Sequence, residues 1–328
     1  MSTGPLLAGD DAAALQAAAV RLAAGELLAF PTETVYGLGA RADDDAAVAR
    51  IFAAKGRPAD HPLIVHVASL AAVAHFAAAV PPAAQALMQA FWPGPLTLIL
   101  PRRPGVAAGA AGGQASVGLR MPAHPVALAL LRAAAALGVP GVAGPSANRF
   151  GRVSPTRATH VLAEFGGAVP VLDGGECEVG IESAIVDCTR ERPALLRPGQ
   201  LGRAALEAVL GVALAEPDAQ SPRASGTLAS HYAPAAPVSL FEVAELCRRF
   251  TLPARAGGVV GVYSRAAPPV GPAWLYKPMA AEASAVAHEL FAVLRDLDAA
   301  GVAAIWVETP PPGPEWDGVR DRLRRAAA

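Results

Sequence analysis

The chain has 328 residues, 53% of them hydrophobic and 17% charged, with a formal net charge of −1. That length can bury a core large enough for two domains, and the near-zero charge removes any global electrostatic case for a nucleic-acid partner. Much of the apolar share is alanine, and no stretch of about eighteen residues stays strongly apolar without a polar break, so no membrane span is expected. The N-terminal MSTGPLLAGDDAAALQ has no basic region followed by a long apolar core, so a secretory signal is not expected and a cytoplasmic location is. Cys177, Cys188 and Cys247 are widely spaced without a CxxC, and the histidines form no HExxH or HxH pair. A disulfide framework, a structural zinc site and a protein-held catalytic metal are therefore not expected.

In chain order, Asp10 or Asp11 can cap a helix running to Leu22, closed by Gly25. A strand over 26–30 leads into Pro31-Thr32-Glu33-Thr34-Val35-Tyr36-Gly37-Leu38-Gly39, where an apolar run breaks into hydroxyls, a carboxylate and glycines. Asp43 to Asp45 precede a short helix marked by Val48, Ile51 and Phe52 and ending at Lys55-Gly56-Arg57-Pro58. Strands are predicted over 63–67, 96–100, 116–120, 140–143, 169–173, 183–187 and 194–197. Helices are predicted from Pro81 to Trp92 and over 124–137, with Ser154 or Thr156 capping another. This alternation predicts an α/β fold. Residues 1–210 are expected to form the first domain and 211–237 a Pro-rich linker or lid. Residues 238–328 read as a smaller C-terminal α/β domain, with strands over 238–241, 259–263 and 304–307 and helices over 282–299 and 315–327.

Lys55, Arg57, Arg120 and Arg197 stand at the ends of elements rather than on helix faces. Arg120 closes an apolar strand, where a charge needs a partner or water. Hydroxyl and amide groups stand beside them on Gly- or Pro-flanked turns: Thr32, Ser146, Asn148, Ser154 and Ser183. Cations joined by hydroxyls and loop N–H groups suit either a polyphosphate or a carboxylate. A P-loop is excluded, since GxxxxGK[ST] is missing. Gly37-Leu38-Gly39-Ala40-Arg41-Ala42 formally fits GxGxxA, but Pro31 and the polar run separate the strand from the glycines. No GxSxG elbow supports a hydrolase.

The segments FPTETVYGLGA (30–40), KGRPADHPLIVHV (55–67), FWPGPLTLIL (91–100), VGLRMPAHP (117–125) and GPSANRFGRVSPT (144–156) come in a telling order. They are followed by VLDGGECEVGIESAIVDCT (171–189) and LLRPG (195–199). Together they resemble the YrdC-like threonylcarbamoyl-adenylate synthases, and SHYAP (230–234) and WDGVRDRLRRAA (316–327) resemble the longer, two-domain branch. The resemblance implies a twisted mixed sheet around a central cationic cavity. It implies an enzyme that makes L-threonylcarbamoyl-AMP and pyrophosphate from L-threonine, bicarbonate or CO2, and ATP. The product would pass to tRNA threonylcarbamoyl transferase proteins, with no tRNA contact required for this step.

Position by position, the resemblance implies ATP contacts from Lys55, Arg57, Ala59, Ser116, Ser146, Asn148, Ser154, Arg197 and His231 or Tyr232, with Lys55 and Arg57 carrying the catalysis. It implies threonine contacts from Thr32, His66, Arg120, Gly144 and Ser183. Ser116 and Gly144 depart from the threonine and alanine expected there; the first keeps a hydroxyl and the second its backbone. Mg2+ is expected as cofactor, held mainly through the ATP phosphates. Glu33 and Tyr36 receive no role. The rival readings are an RNA-binding module without catalysis, against which the missing RNP-like aromatics weigh, and carbamoyl transfer to another acceptor.

Overall fold

The computed structural model describes residues 6–228, 230–251, 258–266 and 271–328. The first domain contributes strands β1 (Leu6–Ala8), β2 (Leu28–Phe30), β3 (Gly37–Arg41), β4 (Ile64–His66) and β5 (Leu96–Pro101). These are followed by β6 (Ser116–Arg120), β7 (Val142–Ala143), β8 (Val171–Asp173), β9 (Ala184–Asp187) and β10 (Ala194–Arg197). They form one ten-stranded sheet in the order β1-β8-β2-β3-β7-β4-β6-β5-β9-β10. The sheet is mixed: β4 and β6 run parallel while β2 and β3, and β9 and β10, run antiparallel.

Helices α1 (Ala12–Ala23), α2 (Asp45–Lys55), α3 (Leu70–Phe76), α4 (Pro82–Phe91), α5 (Pro125–Ala136), α6 (Ala158–Phe165) and α7 (Arg203–Leu210) cover this sheet. Leu22 of α1 and Leu130 and Leu131 of α5 pack with Leu28, Phe30 and Leu172. Ile51 of α2, Leu87 of α4, Val161 of α6 and Leu206 of α7 share a separate cluster with Leu38, Val65 and Leu98. Local signals explain several ends: Asp11 Oδ1 accepts from the Ala13 N–H, Asp44 caps α2, and Gly56 closes α2 at φ 63°.

Three expectations change. Residues 37–41, where no strand is expected, form β3; a Cβ on Gly39 would come within 2.9 Å of the Phe30 ring and 3.1 Å of the Leu28 carbonyl. Glycine therefore lets β3 lie directly against β2. Helix α6 takes Arg157, without a side-chain cap bond, at its N-cap in place of Ser154 or Thr156. Helix α3, helix α8 (Val243–Phe250) and strand β13, described next, have too short or too irregular a pattern to stand out in the sequence.

The second domain is a parallel sheet in the order β11-β14-β12-β13, built from β11 (Val238–Phe241), β12 (Val260–Ser264), β13 (Trp274–Pro278) and β14 (Ala304–Glu308). Helices α9 (Ala283–Ala299) and α10 (Asp317–Ala326) supply Leu290, Phe291, Leu294 and Leu323 to its core. Val35, Val153 and Ile181 of the first domain join that same cluster, so one apolar core crosses the domain boundary. A shared core fixes the relative placement of the two sheets far better than a polar interface would.

The closeness of that boundary is tested by Gly180, at φ +79°, where an added Cβ would fall within 2.4 Å of the Ala287 and His288 carbonyls of α9. Gly180→Ala should lower stability by about 1–3 kcal/mol, read as a fall in the thermal midpoint of several degrees. An unchanged midpoint would mean that the contact yields without cost.

Candidate active site

The loop after β2, the β4–β6 pair, the loop after β7, the entry to β9 and the end of β10 surround one cavity. His66 and Arg120 are register partners at the ends of β4 and β6, so their side chains stand side by side. Thr32, Gly144, Ser146, Ser183, Arg57 and Arg197 line the same cavity, and so do His231 and Tyr232 from the far side of the linker. Most of the expected site is therefore brought together.

Each cation is held by a distinct local device. Lys55 ends α2, and its Nζ donates to the Ser146 carbonyl at 2.6 Å and to the Asn148 carbonyl. Burial, then the neighbouring Arg57, holds its pKa well below the usual lysine value. Asn148 in turn donates from Nδ2 to the Arg149 and Arg152 carbonyls, stiffening the loop from behind. Arg57 donates to the Pro62 carbonyl at 3.1 Å, and its guanidinium lies 5.7 Å from the Phe150 ring centroid. Burial first, with Arg197 adding to it, presses Arg57 down to about 10, which leaves it charged at neutral pH. Arg197 donates through Nε and Nη2 to the Ser183 carbonyl and through Nη1 to the Ser225 carbonyl at 2.7 Å.

Arg120 has the partner its position demands, and it is Glu33. The two approach to 2.7 Å with both side chains almost fully buried. The approach lies off the donor axis, so it is an ion pair rather than a directed hydrogen bond. Arg120 Nη1 also donates to Thr34 Oγ1 at 2.8 Å, and Nε donates to the Gly94 carbonyl at 3.3 Å. Thr34 in turn shares a 2.9 Å hydrogen bond with Thr32 Oγ1, which donates to the Val35 carbonyl. The tripeptide 32–34 is thus one bonded unit around the guanidinium. Ser183 Oγ pairs with Thr97 Oγ1 at 2.8 Å. His66 Nδ1 is buried without a partner, and burial followed by Arg120 pushes the ring down to about 3. The ring is neutral at physiological pH.

Five expected residues do not line the main cavity: Lys55 and Asn148 stand behind Ser146, which does, and Ser116, Ser154 and Ala59 stand elsewhere. Ser116 lines an adjoining cavity with Thr97, Gln114 and Ile185, and Ile64 and Ser225 border both cavities. Ser154 lies behind the wall, where its Oγ donates to Glu182 Oε1. Ala59 is exposed on the loop after α2 and lines neither cavity, so its side chain has no place in the site. The alanine follows Pro58, which turns the chain outward.

The linker is more than a tether. Ser225 and Gly226 form part of the cavity wall, and Arg223 fastens the segment outside to Asp60 at 2.7 Å and to Gln114. A Cβ on Gly226 would sit 2.4 Å from the Tyr232 hydroxyl and 2.7 Å from Arg197 Nη1, so only glycine fits. Tyr232 adopts φ 63° and packs on Phe291 of α9 with ring centroids 5.3 Å apart. His231 stacks edge-on to Tyr232 at 4.2 Å, and burial pushes it down to about 3.

Sequence reasoning missed Glu33, Thr34, Glu182, Ser225 and Gly226 around the cavity. Glu33 and Thr34 lie within the polar run after Pro31, and Glu182 lies directly beside Ser183, so proximity to chosen residues was the available signal. Tyr36, given no role, is a strut: its hydroxyl donates to the Gly175 carbonyl at 2.7 Å.

Buried arginines and hydroxyls on the loops of a mixed sheet line one cavity of an α/β protein, roofed by its own linker. The family model described as "Telomere recombination", covering Sua5, YciO and YrdC, matches residues 21–199. The model described as "Threonylcarbamoyl-AMP synthase, C-terminal domain" matches residues 201–328. The chain belongs to the Sua5/YciO/YrdC family. It is 41% identical to the threonylcarbamoyl-AMP synthase of Pyrococcus abyssi, across 94% of each chain. To that of Bacillus subtilis it is 38% identical, across 98% of this chain and 94% of the relative. The crystal structure of P. abyssi Sua5 complexed with L-threonine superposes with a TM-score of 0.87 at 38% identity, covering 97% of this chain and 95% of that one. A P. abyssi Sua5 variant with a His and the adjacent Tyr replaced by Ala superposes at 0.88 and 36% identity, over 98% and 96% of the two chains.

The depressed histidines give a pH prediction. His66 and His231 titrate near 3 when folded and near 6.5 when unfolded, so below about 6.5 the unfolded chain binds more protons. Stability is therefore fully present above that pH and is lost as pH falls toward 3, by roughly 1–2 kcal/mol per ring at pH 5. Calorimetry should show the thermal midpoint dropping between pH 7 and pH 5, with a smaller drop in a His66→Gln, His231→Gln double variant. Equal slopes in the two proteins would contradict the burial argument.

Proposed function

We propose that this chain is an L-threonylcarbamoyladenylate synthase, a nucleotidyltransferase acting on L-threonine, bicarbonate or CO2, and ATP. The observation that carries the reading is one cavity with two anion-holding groups: Arg57 and Arg197 on one side, and Arg120 with its threonine-rich loop on the other. Relatives bearing that name align over nearly the full chain, and a solved relative is complexed with L-threonine.

The threonine carboxylate would meet Arg120. Of its five N–H groups, Nε–H goes to the Gly94 carbonyl and one on Nη1 to Thr34, while Nη2 stands beside Glu33 without a hydrogen bond, which leaves donors on both terminal nitrogens. Two parallel donors suit a carboxylate. Thr32, Ser183 and the Gly144 backbone border the same space, and neutral His66 can accept from the substrate hydroxyl. The ATP phosphates would lie toward Arg57 and Arg197, with Lys55 fixing Ser146 and the loop through Asn148 that faces them. Ser116 would reach the nucleotide through the adjoining cavity.

The chemistry is then mostly positioning and charge stabilisation. The neutral threonine amine, its ammonium proton already lost, forms an N–C bond to CO2 and gives a second proton to solvent, leaving the carbamate. An oxygen of the resulting carbamate attacks the α-phosphorus, and the bond from that phosphorus to the bridging oxygen breaks as pyrophosphate leaves. If bicarbonate is the source, one water is released. Among the described residues no three His, Cys, Asp or Glu side chains form a metal cluster. Mg2+ would enter with the ATP as part of the substrate and supply charge neutralisation on the phosphates. In this reading residues 1–210 hold the chemistry, 211–237 roof it, and the product leaves in the cytoplasm for the proteins that transfer threonylcarbamoyl to tRNA.

Pyrophosphate release should require ATP, bicarbonate and threonine together. Release without threonine would favour another carbamoyl acceptor, and RNA binding with no release at all would favour a binding module. Arg120→Ala should raise the threonine KM by about 100-fold while moving the ATP KM only a few-fold. Equal effects on both substrates would remove Arg120 from the carboxylate site.

A further inference from the structure

Arg322 lies on α10, in the second domain, yet its side chain is fully buried in the first. Nε donates to Glu182 Oε2 at 3.0 Å, Nη2 to the Glu182 carbonyl at 2.9 Å, and Nη1 to the Pro198 carbonyl at 2.6 Å and to Asp321 Oδ2 at 3.1 Å. Glu182 precedes Ser183 and Pro198 follows Arg197, so one guanidinium ties together the two shoulders that carry those residues. Its face also lies 5.7 Å from the Tyr232 ring centroid. One turn on, Arg325 donates to the Leu228 carbonyl, and its own carbonyl accepts from the His231 N–H at 3.1 Å.

Glu182 is the reason such a residue is needed. It borders the main cavity on the same side as Arg197, where its negative charge opposes a phosphate. Ser154 occupies one carboxylate oxygen and Arg322 the other. Burial pushes the Glu182 pKa up, but Arg322 and Arg197 outweigh it and hold the group ionised below its usual value. We infer that Arg322, from the second domain, is a positioning residue for the nucleotide side of the first domain's cavity: it neutralises Glu182 and holds the end of β10 that carries Arg197. The inference rests on the reading above only for the identity of the anion as ATP.

Three full-length variants test it: Arg322→Met, Glu182→Gln, and the two combined. Titration calorimetry with a non-hydrolysable ATP analogue and with L-threonine reads the two ligands separately. Arg322→Met should weaken the nucleotide about 30-fold, since it leaves a buried unpaired carboxylate beside the phosphates, and threonine less than about threefold. Adding Glu182→Gln should recover most of the lost nucleotide affinity, because the charge beside the phosphates is then gone while Asp321 keeps its pairing with Arg325. Wild-type nucleotide affinity in a folded Arg322→Met protein overturns the inference, and so does a folded double variant still weakened about 30-fold. If Arg322→Met does not fold, the double variant decides by the same affinity. A wild-type chain that binds the nucleotide analogue but releases no pyrophosphate with threonine defeats the functional reading and leaves this inference standing.

Discussion

The cavity depends on cations that the fold buries against carbonyl oxygens rather than carboxylates. Among the described residues, the hydrogen-bond partners of Lys55, Arg57 and Arg197 are the carbonyls of Ser146, Asn148, Pro62, Ser183 and Ser225 and the hydroxyls of Ser183 and Ser225. Removing such charges from water costs several kcal/mol each, and carbonyl dipoles offset that only in part. The remainder is field strength held ready for an incoming anion. Arg120 differs: it is paired with Glu33, and the bonded unit of Thr32 and Thr34 fixes its plane. The cavity thus separates a balanced, oriented guanidinium from a less balanced group of cations, as a carboxylate and a polyphosphate require.

Holding those charges in place takes the whole chain. The linker crosses back, gives Ser225 to Arg57 and Arg197, and returns through Gly226 and Tyr232, whose backbones adopt positive φ. Tyr232 then leans on Phe291 of α9, and the strap's carbonyl and amide groups meet Arg325 of α10. A core shared between Ile181 and Leu290 keeps those helices from drifting. The second domain acts on the cavity through this chain of contacts, without any aligned pathway being needed beyond packing and hydrogen bonds.

Much of this was legible from residue order. The α/β class, the short helix ending at Lys55, the strand carrying His66 and the strands ending at Arg120 and Arg197 follow from periodicity and from glycine and proline punctuation. The meeting of Thr32, His66, Arg120 and Ser183 was legible only through the resemblance, since residues about 150 apart carry no local signal of contact. The sheet order was hidden too, because short buried strands show no alternation by which to rank neighbours. Glu33 escaped because a carboxylate among hydroxyls reads as an ordinary polar turn. Only the fold shows that it faces Arg120. Ala59 was placed at the nucleotide through its backbone by a motif match, and its side chain is exposed after the turn at Pro58.

The central claim concerns a product, and mass spectrometry of that product tests it most directly. The purified full-length chain, given ATP, 13C-bicarbonate and L-threonine, should yield threonylcarbamoyl-AMP one mass unit heavier than with unlabelled bicarbonate, together with pyrophosphate. Pyrophosphate without a labelled adenylate, or no adenylate at all with the cavity residues intact, would contradict the account.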